Sequence, residues 1–204
     1  MRVAIDYTSA VRQGGGIARY TRGLVGALAE LDAGNQYVLF SAGRDRTGKT
    51  WPANFSLRSL PIKDRHLAMV WQRMSVPIPI ELFTGWADVF HSPDFVLPPV
   101  ARARTVLTVH DLSFIRHPEC FSKPMLVYAA RAVPRSVARA DVILADSESA
   151  RQDLLELLHV PQDRVFVVYP AVESRFKPQE DSGAIRAVVR PHGIRLPFIL
   201  GLGT

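Results

Sequence analysis

Thr105-Val-Leu-Thr-Val109-His110-Asp111 decides how this chain is read. A run dominated by β-branched and aliphatic residues ends abruptly in a histidine and a carboxylate. Three other places repeat the pattern. Val3-Ala4-Ile5 runs into Asp6, Val89-Phe90 into His91-Ser92, and Val142 to Ala145 into Asp146-Ser147-Glu148. Short apolar runs separated by helical stretches read as parallel strands buried on both faces. In an open parallel sheet, ligands sit outside the carboxyl ends of the strands. Four strand ends therefore aim Asp, His, Ser and Glu at one crevice, which points to a substrate site.

The intervening sequence fits that frame. Residues 2–6 read as the first strand, and Gly14-Gly15-Gly16 opens a helix from Ile17 to Leu31. Its apolar positions Ile17, Tyr20, Leu24, Ala27, Leu28 and Leu31 keep the spacing of one buried helix face. Strands follow at Tyr37 to Phe40 and Asn54 to Leu60. A helix from Asp64 to Met74 ends before Pro77 and Pro79. Strands at Asp88 to His91 and Thr105 to Val109 precede a helix over Met125 to Arg139, where Pro134 predicts a kink or break. After Val142 to Ala145 comes a helix reaching His159, with Ser149 and Gln152 spaced for a capping box. Val165 to Val168 is the last strand of the unit. The expected fold class is α/β, a Rossmann-like parallel sheet with helices on both faces.

Beyond Pro170 the character changes. Residues 1–178 read as one domain, 179–197 as a linker with a short helix over Ala184 to Arg190, and 198–204 as the opening strand of a further domain. A strand at Phe198 to Leu202 with no helix after it suggests a fragment or first domain of a longer protein.

The 204 residues suffice for one large or two small domains, and a hydrophobic content of 48% supports a real core. No apolar run approaches the roughly 20 residues of a membrane span. The first residues carry no leader pattern, and the single cysteine, Cys120, excludes an internal disulfide and reads as a small packing residue. A cytoplasmic location is expected. Residues 1–80 hold 11 Lys/Arg against 5 Asp/Glu, which accounts for the whole formal charge of +6. Such a face attracts phosphorylated molecules, anionic lipid or nucleic acid. The charges are scattered arginines without aromatic interleaving, so no nucleic-acid partner is expected. Leu67, Val70, Trp71 and Met74 beside Arg65 and Arg73 read as a core helix. The same stripe also suits an interfacial helix, so peripheral contact with a membrane stays open.

Among candidate site residues, Gly15 and Gly16 precede a helix N-terminus, where free N–H groups attract a phosphate. Arg19 lies in the first turns of that helix. His110 can hydrogen-bond a substrate or hold a proton near neutral pH, and Asp111 can fix its ring or cap the next turn. His91-Ser92-Pro93-Asp94 is a weaker copy, read first as a structural loop and second as a substrate contact. Ser147 and Glu148 begin a helix, where capping is the commonest role and substrate contact a second one. No Gly-x-Ser-x-Gly elbow, P-loop or metal-ligand spacing is present.

Several segments resemble the N-terminal domain of retaining GT-B glycosyltransferases of family four, in its mannosyltransferase-like branch. They include Gly15-Gly-Ile-Ala-Arg-Tyr-Thr-Arg-Gly-Leu, Asp88-Val-Phe-His-Ser-Pro and Thr108-Val-His-Asp-Leu-Ser-Phe. Ala140-Asp-Val-Ile-Leu-Ala-Asp-Ser-Glu-Ser, Val160-Pro-Gln-Asp-Arg-Val and Pro197-Phe-Ile-Leu-Gly-Leu-Gly-Thr continue the series in family order. Ser149 departs from the usual Phe, and Ala171 and Glu173 from the usual Gly and Asp. The resemblance implies one half of a GT-B fold, binding mainly a glycan or lipid-linked acceptor. It implies a nucleotide-sugar co-substrate, with GDP-mannose suggested by the branch, and neither metal nor resident cofactor. By it, Gly15 and Gly16 reach the donor diphosphate, His110 contacts the donor sugar and Asp111 supports the loop. The donor-gripping residues lie in the chain's own C-terminal domain, absent here, so the fragment alone is expected to be inactive. The competing reading is a non-catalytic Rossmann-like module that binds a ligand or partner.

Overall fold

In the computed structural model, residues 1–12, 14–44, 48–173 and 175–201 are described, and they form two compact units, Met1–Pro170 and Ala171–Thr204. The first unit is built in the order β1 (Arg2–Asp6), α1 (Thr8–Arg12), α2 (Gly16–Leu31), β2 (Gln36–Ala42), β3 (Phe55–Leu60), α3 (Asp64–Ala68), α4 (Glu81–Thr84), β4 (Val89–Ser92). It continues with β5 (Arg104–Val109), α5 (Ser113–Arg116), α6 (Lys123–Arg139), β6 (Val142–Ala145), α7 (Glu148–Leu158) and β7 (Val165–Val167). The seven strands form one sheet in the order β3-β2-β1-β4-β5-β6-β7, and every described pairing is parallel. The fold is the expected Rossmann-like α/β sheet.

Alternation along the strands builds a core on each face. Ala4, Val38 and Phe40 join one cluster with Leu107, Ile143 and the α6 residues Val133 and Val137. Ile5, Tyr37 and Leu39 join the other with Val25 of α2. Each fully buried Leu or Ile contributes about 1.5–3 kcal/mol. The chain winds from β1 outward to β3, then returns to lay β4 against the other side of β1. That reversal opens a crevice at the carboxyl ends of β1 and β4.

Several local expectations change. The buried stripe of α2 is Ala18, Thr21 and Val25, while Leu31 is exposed. Small residues let the helix lie close to the sheet, and Thr21 bonds Ser9 of α1 at 3.1 Å. Ile17 and Tyr20 are thereby turned toward the strand ends. The helix expected over Asp64 to Met74 is α3 followed by a wider π turn over Met69–Arg73. The 17-residue α6 runs unbroken through Pro134. Beside it, Ser136 donates to Ala132 O and accepts Leu97 N–H, which ties this stretch to the loop after β4. The expected capping box at Ser149 is absent: Ser147 is the cap, accepting Ala150 N–H at 3.1 Å. Cys120 is exposed rather than packed.

The second unit contains α8 (Ser182–Val189), capped by Asp181, whose carboxylate accepts Gly183 N–H at 2.7 Å. Phe198 to Gly201 form no strand, because no described segment pairs with them; Leu202 lies outside the described residues.

Candidate active site

The crevice at β1 and β4 holds a cavity of about 590 Å³. Among the described residues its wall carries the carboxylates Asp6, Asp64, Asp94 and Asp111 and the cation Arg65. Between them stand large apolar faces, among them Trp71, Phe114, Phe121 and Tyr128. Carboxylates accept hydrogen bonds from hydroxyl groups, and aromatic faces cover C–H surfaces. Asp64 is ion-paired with Arg12 at 3.1 Å, and the remaining carboxylates and aromatic faces suit a neutral polyhydroxyl molecule.

Asp6 is the last residue of β1, and its carboxylate accepts Thr8 N–H at 2.9 Å. Burial pushes its pKa up. Asp94 lies two residues past β4 and is pushed up to about 6, first by burial and then by the charge of Asp6. Phe95 follows with φ of 53°, a left-handed conformation costly for a bulky residue. That turn is held by Phe95 N–H donating to Thr108 O at 3.0 Å. It sets the Phe95 ring against His110, with centroids 5.3 Å apart.

His110 is the first residue past β5. Its Nδ1 is 2.9 Å from Asp146 Oδ2 and its Nε2 is 3.0 Å from Pro93 O. Both partners accept, so both hydrogen bonds form together only with the imidazolium; a neutral ring gives up one of them. Tyr20 also packs edge-on against the ring, with centroids 5.0 Å apart. Asp111 accepts hydrogen bonds from Ser113 N–H and Ser113 Oγ–H, starting α5.

The chain belongs to glycosyltransferase family 4. The family model, Glycosyltransferase Family 4, matches residues 14–176, most of the chain and of the sheet-bearing unit. One curated relative is the O-antigen chain mannosyltransferase B of Escherichia coli, 31% identical over 116 residues. Those residues are 57% of this chain and 30% of the relative, so the chain matches under a third of that protein's length.

The structure sorts the site residues of this family-4 chain into three groups. Asp111 lines the cavity, whereas His110, just past β5, is held on Asp146 and Pro93 O and is not among the lining residues. Gly15 is the N-cap of α2, and open space surrounds the positions a Cβ would take on Gly15 and Gly16. Arg19 is exposed on that helix. The remaining four are engaged elsewhere. His91 is buried and bonds Thr108 Oγ1 at 2.9 Å, with burial holding its pKa down at about 4. Ser92 is buried and donates to Val96 O at 2.7 Å. Ser147 caps α7, and Glu148 accepts from Arg151 and Gln152 within that helix. None of these four lines the cavity. Asp6, Asp94 and Asp146 stood in the strand-end runs read from the sequence but were not among the site residues chosen there. Asp6 closes β1, and the other two lie past β4 and β6 beside the neighbours that were chosen. Among the described residues, no three His, Cys, Asp or Glu are grouped to hold a metal ion.

Proposed function

We propose that this family-4 chain is the acceptor-side domain of a retaining glycosyltransferase. It would move a sugar from a nucleotide-sugar, with GDP-mannose the leading choice, onto a glycan or lipid-linked acceptor. One observation carries the reading: a chain of this family gathers carboxylates and aromatic faces around a cavity at its sheet's switch point. The GDP-mannose choice is supported by a relative that is a mannosyltransferase.

On this reading the acceptor sugar lies in the cavity, with Asp94 and Asp6 accepting its hydroxyl protons. Backbone N–H groups at Gly15 and Gly16 face the donor diphosphate, where a helix N-terminus favours negative charge. The bond from the sugar's anomeric carbon to phosphate breaks, the bond to the acceptor oxygen forms, and the acceptor proton leaves with the phosphate. Catalysis then rests on positioning and on stabilising the leaving group. His110 meets the donor sugar by exchanging Pro93 O for a sugar hydroxyl, while Asp146 keeps the ring oriented. The residues that grip the nucleotide belong to a second domain, so the 204-residue chain by itself transfers nothing.

A second reading has one observation in its favour. Both ring nitrogens of His110 already face acceptors inside the domain, Asp146 and Pro93 O. A non-catalytic binding module would keep them so.

The test is a transfer assay on the full-length protein containing this chain, with GDP-mannose and UDP-glucose offered against a lipid-linked acceptor extract. His110→Ala, still folded by circular dichroism, is expected to lose about a hundredfold in rate. Undiminished transfer removes His110 from the reaction. Absence of transfer across a full panel of nucleotide-sugars favours the binding module.

A further inference from the structure

A second groove, of about 550 Å³, lies between the π turn that follows α3 and the first turns of α6. Arg73, Lys123 and Arg131 line it together with Pro124, Val127 and Tyr128. No carboxylate lines it, and none of the three cations is ion-paired among the described residues. Around it the same two elements leave Met69, Met74, Met125, Val127 and Tyr128 exposed. Unbranched Met side chains adapt to irregular apolar surroundings. Trp71, by contrast, is turned inward: its Nε1–H donates to Ile78 O at 2.9 Å and its ring lies beside Phe83.

Three unpaired cations among exposed flexible apolar side chains match one kind of surface, a bilayer with anionic headgroups. We infer that this face, formed by Met69 to Met74 and Lys123 to Arg131, docks the protein on an anionic lipid membrane. The cations meet the phosphates, and the Met and Val side chains enter the headgroup boundary. Among the described residues no helix is long and apolar enough to cross a membrane, so the contact is peripheral. The inference does not rest on the transferase reading, because vesicle binding requires neither donor nor acceptor. The two meet in one respect: Gln72 and Tyr128 line both the groove and the candidate active-site cavity. Docking at the groove thus brings that cavity close to the bilayer.

The test is co-sedimentation of the full 204-residue chain with two vesicle types, pure phosphatidylcholine and phosphatidylcholine mixed with phosphatidylglycerol. Binding is expected only to the mixed vesicles, weakening as salt rises. R73Q/K123Q/R131Q, checked for folding, is expected to weaken it on the order of a hundredfold. R44Q/R102Q/R186Q removes the same charge from exposed arginines outside the groove and is expected to keep most of the binding. The single exposed variant R131Q is expected to lose roughly fivefold and serves if the triple variant does not fold. M74S/M125S is expected to lose roughly tenfold while keeping the salt dependence. Equal binding to both vesicle types overturns the inference. So does unchanged binding in the folded groove variants, or an equal loss in the scattered-charge variant.

Discussion

His91 and His110 stand on neighbouring strands, each near a carboxyl end, and the two have opposite fates. His91 lies inside β4, in register with Val106 of β5, and its ring bonds the buried Thr108 hydroxyl. His110 lies one residue past β5, held between Asp146, Pro93 O, Tyr20 and Phe95. A residue inside a strand alternates with its neighbours into one core or the other. A residue just beyond the last ladder bond escapes that alternation and faces the crevice. Asp94, past β4, lines the cavity, and Asp146, past β6, turns its carboxylate to the His110 ring. Position at or beyond the strand's end, where Asp6 closes β1 and Asp94 follows β4, places a carboxylate on the cavity wall, whereas His91 inside β4 is absorbed by the core.

The largest expected effect tests this difference through pH. His91 has its folded pKa held down at about 4, against 6.5 when unfolded. The unfolded chain therefore takes up the proton first as pH falls. The His91 contribution is present above pH 6.5 and is lost as pH falls toward 4, up to about 3 kcal/mol. Asp94 acts in the opposite sense. Its pKa is raised from 3.8 to about 6, so its contribution is full at low pH and is lost as pH rises through about 6. Between pH 4 and 6 the two act in opposite senses, so each masks part of the other's pH dependence in the wild-type profile. Asp94→Asn should unmask His91, giving a steep acid loss and about 2 kcal/mol more stability at pH 7. Urea unfolding across that range checks both. A D94N profile no steeper than wild type would show that His91 titrates normally.

The next contrast separates the partners of the two rings. Asp146→Ala removes the Nδ1 partner of His110. In the full-length protein it is expected to lower transfer about a hundredfold with little change in folding, because a misoriented group costs rate before stability. Thr108→Val removes the hydroxyl that His91 and Tyr20 share. It leaves the buried His91 nitrogen unpaired and is expected to cost about 2 kcal/mol of stability, with transfer within severalfold of wild type. Equal rate losses in the two variants would erase the distinction between the histidines.

Much of the fold was legible because strand runs and helical periods are long-range patterns. Six of the strands were visible as short apolar runs and β3 by its alternation, while a similar run from Phe198 forms no strand over the described residues. The helices α1, α4 and α5, at four or five residues each, carry too few turns to show a period. The buried face of α2 was misplaced because Ala18 and Thr21 look unremarkable beside Leu24 and Leu31. Close packing on the sheet selects small residues there, and burial, not hydrophobicity, defines the face. At the site, His110 and Asp111 were legible since β5 has an unmistakable end. His91 and Ser92 were taken for crevice residues because β4 was expected to end one residue early. The meeting of Asp6 and Asp94 on one cavity wall comes from strands far apart in sequence, which no local spacing reports.

The smallest effect concerns the turn that carries Asp146. Ser147 and Ser149 both lie at the start of α7, and the Ser…Gln spacing selects Ser149. The backbone selects Ser147, extended at φ −153° and ψ 159°, with its hydroxyl accepting Ala150 N–H. Ser149 already lies within α7, where its side chain cannot reach the free N–H groups of the first turn. Ser147→Ala is therefore expected to cost about 1 kcal/mol, and Ser149→Ala close to nothing. The loss has a second consequence. Ser147 is the residue after Asp146, so loosening this turn should also loosen the Asp146 carboxylate against His110. Thermal unfolding measures the first effect, and the His110 ring resonances by NMR report the second. A destabilised S147A protein with unmoved His110 resonances would mean that β6, rather than the helix cap, positions Asp146.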